Sequence, residues 1–145
     1  MRFFIFIIFL IFDCYLLQAQ INVLDSLGKK QGKWLITGKM RNDTIYFPKQ
    51  LVEEGNYYDN RKVGLWKEYH LNGNLKSELI YESGKVNGRA IIYYENGCVK
   101  EEGTWKNNRW VGKWKEYNEK GEFLREYDFK SAKSREGKVH YCTQL

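Results

Sequence analysis

Between Gly55 and Glu126 the hydrophobic and polar positions alternate in short runs, and the runs recur. Leu75, Leu79 and Tyr81 share one face with Ser77, while Lys76, Glu78, Ile80 and Glu82 take the other. One unit later Val99, Gly103 and Trp105 share a face with Glu101, opposite Lys100, Glu102, Thr104 and Lys106. A unit further on, Phe123, Tyr127 and Phe129 oppose Leu124, Glu126, Asp128 and Lys130. Alternation with period two puts successive side chains on opposite faces of a β-strand, and helical spacing does not account for these positions. The pattern predicts a second strand in each unit over residues 65–70, 89–94 and 113–118, with faces less cleanly divided. Trp66 and Tyr69 are three apart and therefore point to opposite faces, so both faces carry aromatics.

The recurrence has a fixed period of 24 residues. Gly64, Gly88 and Gly112 keep it, as do Gly73, Gly97 and Gly121, Tyr69, Tyr93 and Tyr117, and the aromatic set Tyr57, Tyr81 and Trp105. A period of this size marks a stacked repeat architecture. Asn72-Gly73 and Asn96-Gly97 sit between apolar runs and predict two-residue hairpins with both residues at positive φ, while Lys120-Gly121 fills the same slot. The other connections read as longer polar loops over residues 59–63, 83–87 and 107–111, each ending at or just before its repeat glycine. All six repeat glycines are read as structural, where a side chain would meet a left-handed backbone or a close neighbour. The expected fold is all-β: an elongated antiparallel meander of repeated β-hairpins with about eight to ten strands.

Two stretches carry a family resemblance, Gly55-Asn-Tyr-Tyr-Asp-Asn-Arg-Lys-Val-Gly-Leu-Trp66 and Gly103-Thr-Trp-Lys-Asn-Asn-Arg-Trp-Val-Gly-Lys-Trp114. They resemble MORN-type repeats, in the variant form found in the YwqK-like family of bacterial repeat proteins. The middle unit departs from the pattern, with Leu79 in place of the first glycine and Ala90 in place of the tryptophan. A weaker fourth copy is Gly28-Lys-Lys-Gln-Gly-Lys-Trp34, whose Gly32 precedes Gly64 by 32 residues. The resemblance implies an interaction scaffold. Because some members are labelled antitoxins, it also implies an antitoxin or immunity-like inhibitor.

Four segments follow. In residues 1–20, Arg2 precedes an unbroken apolar run over 3–12, then Asp13, with Ala19 near the end. A charged start, an apolar core of this length and a small residue at the cut describe a secretory signal peptide. A retained membrane anchor is the rival, and it would have to hold Asp13 inside a span of ~20 apolar residues. Lipidation at Cys14 requires a small residue where this chain has Asp13. Residues 21–54 read as a degenerate first repeat with an inserted loop over 38–48, residues 55–126 as three regular repeats, and 127–145 as a terminal strand and tail. Export would place the protein in the periplasm, at the cell surface or outside the cell.

Composition narrows the chemistry. Aromatics make up 17% of 145 residues, with thirteen glycines and one proline, which favours strands and turns. Cys98 and Cys142 have no metal-ligand spacing and are compatible with a disulfide or with two thiols. His70 and His140 belong to no metal or nucleophile pattern, and the glycines form no phosphate loop. Glu68 and Glu116 recur in phase, which reads as a solvated strand face. The expectation is a non-enzymatic protein with no cofactor, metal, nucleic acid or small-molecule substrate, and with an unidentified protein as partner. Candidate contacts are Trp66, Tyr69, Tyr93, Trp114 and Tyr117, since tryptophan and tyrosine are favoured at binding hot spots. The net charge of +6 adds a second candidate. Arg61, Lys85 and Arg109, with Lys62, Lys29 and Lys30, would form a basic row able to meet an anionic surface.

Overall fold

A computed structural model describes residues 20–129 and 134–135. The chain forms β1 (Val23–Leu24), β2 (Lys30–Thr37), a short helix α1 (Gly38–Arg41), β3 (Leu51–Tyr58), β4 (Arg61–Tyr69) and β5 (Leu75–Glu82). It continues through β6 (Lys85–Tyr93), β7 (Val99–Lys106), β8 (Arg109–Tyr117), β9 (Phe123–Asp128) and β10 (Ser134–Arg135). The ten strands lie in one sheet in sequence order, each antiparallel to the next, so the fold is the all-β meander that the alternation implies. The predicted signal segment, Cys14, Cys142, His140 and the strand expected over 139–142 lie outside the described residues.

The two kinds of turn exchange the roles expected of them. The connections read as long polar loops are two-residue turns, and the strands run straight through Gly64, Gly88 and Gly112. Asp59 and Asn60 have φ of 49° and 64°, Ser83 and Gly84 of 49° and 83°, and Asn107 and Asn108 of 51° and 61°. Both turn residues left-handed is the geometry whose twist matches that of the flanking strands. In the Asn-Gly turns only the glycine is left-handed, with Gly73 at 87° and Gly97 at 86°. There the His70 N–H donates to the Asn74 carbonyl and the Gly73 N–H to the His70 carbonyl. The Asn72 side chain accepts from the Asn74 N–H at 2.9 Å instead of lying in a left-handed backbone. This is a type I turn closed by a glycine bulge, the usual longer hairpin.

The extra length of the first repeat is now located. Tyr46 precedes His70 by one period, and both do the same job. The Tyr46 hydroxyl donates to the Tyr69 carbonyl at 2.9 Å, His70 Nε2 lies 3.0 Å from the Tyr93 carbonyl, and the Tyr94 hydroxyl donates to the Tyr117 carbonyl at 2.9 Å. A carbonyl only accepts, so His70 carries its proton on Nε2. The insertion therefore falls between Gly32 and Tyr46, where α1 stands, and Tyr46 belongs to the repeat. Asn72 and Asn96 lace the turns in parallel, donating to the Glu95 and Glu119 carbonyls at 2.8 and 2.7 Å.

Most domains bury apolar surface between packed layers. Here the described residues supply one sheet, and burial comes from side chains lying along it. Trp34, Trp66, Trp114, Ala90, Val52, Val86 and Cys98 form the buried set.

Candidate functional site

One face of the sheet carries an aromatic ladder with one rung per strand. Trp34 meets Tyr57 edge-on at 5.7 Å, Tyr57 meets Trp66 at 4.9 Å, and Trp66 meets Tyr81 at 6.2 Å. The ladder breaks at Ala90 on β6. It resumes with Trp105 against Trp114 at 6.1 Å and against Trp110 at 5.9 Å. Edge-to-face contact is the arrangement that ring quadrupoles favour. Three ladder indoles are also tied to the backbone: Trp34, Trp66 and Trp114 donate to the carbonyls of Gln31, Asn56 and Thr104 at 3.0–3.1 Å, whereas the buried Trp105 N–H meets no acceptor among the described residues.

Lysines lie over the first two units of this ladder. Lys30 Nζ stands 4.8 Å from the Trp34 ring centre and 4.9 Å from that of Tyr57. Lys62 Nζ stands 4.0 Å from Trp66 and 5.3 Å from Tyr81, and it is ion-paired with Glu53. One and two periods on from Lys62, the slot holds Val86 and Trp110.

The opposite face carries a ladder of tyrosines and glutamates. The hydroxyls of Tyr69, Tyr93 and Tyr117 donate to Glu54, Glu78 and Glu102 at 2.6, 3.0 and 2.9 Å. Burial, then the hydrogen bond to the carboxylate, pushes all three tyrosines up to about 12. The Tyr69 hydroxyl, with Lys33, holds Glu54 below its ordinary value. Burial raises Glu102, but the bonds from Tyr117 and Arg89 outweigh it and leave that carboxyl lowered. Cations interleave: Lys33 with Glu54 at 3.1 Å, Lys67 with Glu78 at 3.8 Å, and Arg89 with Glu102 at 3.1 Å.

The other candidates are placed as follows. Trp66 and Trp114 are only 3% and 2% exposed, so they act within the sheet rather than at its surface. Arg61, Lys85 and Arg109 are not loop residues; each is the exposed first residue of its strand, after a tight turn. Every second strand begins at that end of the sheet, which spaces the three by ~10 Å. None of the three forms an ion pair among the described residues, whereas Lys29 pairs with Asp59 at 3.3 Å and Lys62 is drawn onto the aromatic face. Glu68 is no solvated bystander: it accepts from Arg41 and from Lys76, each at 3.1 Å.

At the end of the aromatic face a cavity of about 320 Å³ opens beside β8 and β9. Trp110, Trp114, Tyr127 and Phe129 wall it, and Glu101, Lys115, Glu116 and Arg125 supply its polar side. Trp110 stacks on Trp114 at 5.0 Å and meets Phe129 edge-on at 5.2 Å. Trp110 and Phe129 remain 44% and 45% exposed. Glu116 is held below its ordinary value by the Arg125 guanidinium and then by the Tyr127 hydroxyl. Sequence reasoning passed over Trp110, Phe129 and Glu101. The available signal was the exchange of Lys62 for Trp110 two periods on. Among the described residues no three metal-binding side chains come together.

The architecture is that of a β-hairpin repeat scaffold. A family model for a MORN repeat variant matches residues 62–83 and 86–107, so the chain carries two such repeats. Each match covers one hairpin, β4–β5 or β6–β7, with the Asn-Gly turn at its tip. Repeats of this family are generally non-enzymatic scaffold units. No curated protein matches the chain.

Proposed function

We propose that this chain is an exported, non-enzymatic repeat scaffold that offers the β8–β9 end of its aromatic face to a partner protein. The observation that supports it most is the exposure of Trp110 and Phe129 around the cavity, next to a ladder that is otherwise packed into the sheet. Large aromatics beside a preformed hollow are the usual anchors of a protein interface. Export rests on the charged start and apolar run of residues 1–20. The resemblance to the YwqK-like family extends this reading to inhibition as one form of partner binding. The test is capture from the cell envelope with a protein comprising residues 21–145. A partner retained by the parent and lost on Trp110→Ala with Phe129→Ala supports the reading, and retention by that double variant rejects it. A second reading, contact with an anionic surface, is favoured by Arg61, Lys85 and Arg109, three exposed cations that form no ion pair among the described residues.

A further inference from the structure

The repeat provides an internal comparison for the cavity at β8–β9. In the earlier unit, Glu53 and Glu68 face each other across β3 and β4. Their charges are met by the protein's own cations. Lys62 lies on the Trp66 ring and pairs with Glu53, while Arg41 reaches Glu53 at 3.3 Å and Glu68 at 3.1 Å. Two like charges directly across a ladder would otherwise destabilise the pair. Two periods later the same positions hold Glu101 and Glu116, again cross-strand partners, with Trp114 in the place of Trp66.

The cations differ. Arg125 serves Glu116, but the residue that would serve Glu101 is Trp110, which carries no charge. Among the described residues Glu101 has no ion pair. The indole that replaces the lysine stacks on Trp114 and becomes a further aromatic wall. Lys115 and Arg125 line the cavity, and Arg125 feels the Glu101 charge, but neither forms an ion pair with Glu101. The slot thus keeps its carboxylate and its ring floor, gains a wall, and lacks the ammonium that lies on the ring in the earlier unit. We infer that this cavity receives a lysine side chain from a partner polypeptide, with the ammonium on Glu101 and the methylenes along Trp110 and Trp114. Lysine is the occupant indicated because Lys30 and Lys62 both lie this way on the earlier rungs. A cation over an indole, with a carboxylate behind it, is attracted by both. This inference rests on the proposed scaffold role and names the chemistry of the partner at that surface.

The test follows the indole N–H signals of the full chain by NMR during titration with a blocked glycine–lysine–glycine peptide. The control is the same peptide acetylated on the lysine Nζ. The expected result is saturable movement of the Trp110 and Trp114 signals with the lysine peptide alone, while Trp34 and Trp66, already covered by lysines, stay still. Glu101→Gln should weaken the response at least about fivefold, the loss expected for one charge-assisted contact. Trp110→Lys should abolish it by restoring an internal occupant. Lys62→Met should make the Trp66 signal responsive. Equal response to the acetylated peptide, or indifference to both Glu101→Gln and Trp110→Lys, overturns the inference. So does a lysine of the chain itself in the slot, seen as a fall in stability of Glu101→Gln with no response of the parent to peptide. A captured partner that needs Trp110 but not Glu101 would leave the scaffold role standing and remove only the lysine.

Discussion

The indole of Trp66 lies against the backbone of Gly55, so closely that a Cβ built on Gly55 would run into the ring. Trp114 covers Gly103 in the same way. In the middle repeat the sizes are reversed: Leu79 takes the glycine position and Ala90 the tryptophan position, and the two are cross-strand partners. The departure visible in the sequence is therefore a compensated exchange of volume, and it also opens the gap in the aromatic ladder.

Gly103→Leu alone should overpack the rung and cost about 1–3 kcal/mol, and Trp114→Ala alone should cost about 3–5 kcal/mol. The double variant reproduces the middle repeat. It should be more stable than the sum of the single losses by at least about 1 kcal/mol. Urea denaturation of the four proteins measures that coupling, and strict additivity would show that glycine and tryptophan are independent.

Gly88 continues a strand at φ 129°, a conformation that side chains rarely adopt, and a Cβ there would lie 3.1 Å from Ile80 Cβ. Gly88→Val should destabilise the fold by more than about 1 kcal/mol, because a β-branched residue suits neither the backbone nor the space. Thermal melting of the two proteins checks this, and an unchanged midpoint would mean that the strand relaxes around the new side chain.

The meander was legible because one period of alternation, repeated, leaves little freedom in how strands pair. The turns were less legible. Asn-Gly invites a two-residue reading, but the Asn72 side chain captures the Asn74 N–H and lengthens the turn, whereas Asp59-Asn60 has no glycine to announce it. The opposition of Trp66 and Tyr69 across the sheet followed from counting. The bond from Tyr69 to Glu54 did not, since it joins residues 15 apart on neighbouring strands and depends on register. Burial of Trp66 and Trp114 was hidden for a related reason: which aromatics are covered depends on the glycine beneath and the lysine above, not on residue type.

The tyrosine–glutamate ladder should give the protein two pH limits. Tyr69, Tyr93 and Tyr117 hold their protons up to about 12, while an unfolded tyrosine releases its proton near 10.0. Between those values the folded state binds more protons. Their contribution is therefore complete below about pH 10 and lost as pH rises toward 12. Glu54 and Glu102 are lowered from 4.5, so the unfolded chain binds more protons there, and their contribution is present above about pH 4.5 and lost as pH falls. Urea midpoints measured across pH should decline at both ends. Changing the three tyrosines to phenylalanine should reduce the alkaline decline, leaving the part due to Tyr57, Tyr81, Tyr94 and Tyr127, which burial also raises, and should soften the acid one. An alkaline decline of equal size in the triple variant would assign it to other groups.

The basic row separates the two binding readings. Arg61, Lys85 and Arg109 are exposed at one end of the sheet and engage no carboxylate among the described residues, so replacing all three with glutamine should leave stability within about 0.5 kcal/mol. If the row meets an anionic surface, binding to phosphatidylglycerol-containing vesicles should weaken severalfold, and what remains should depend less on salt. If the aromatic end is the contact, the triple variant should keep its partner, and Trp110→Ala should lose it. Trp110 is the right probe for that arm, because Trp66→Ala or Trp114→Ala would remove a buried rung and confound binding with folding. A salt titration of vesicle binding, with circular dichroism as the folding control, decides the matter. Unchanged affinity and an unchanged salt slope in the triple variant would leave these three cations as solubilising charges at the strand ends.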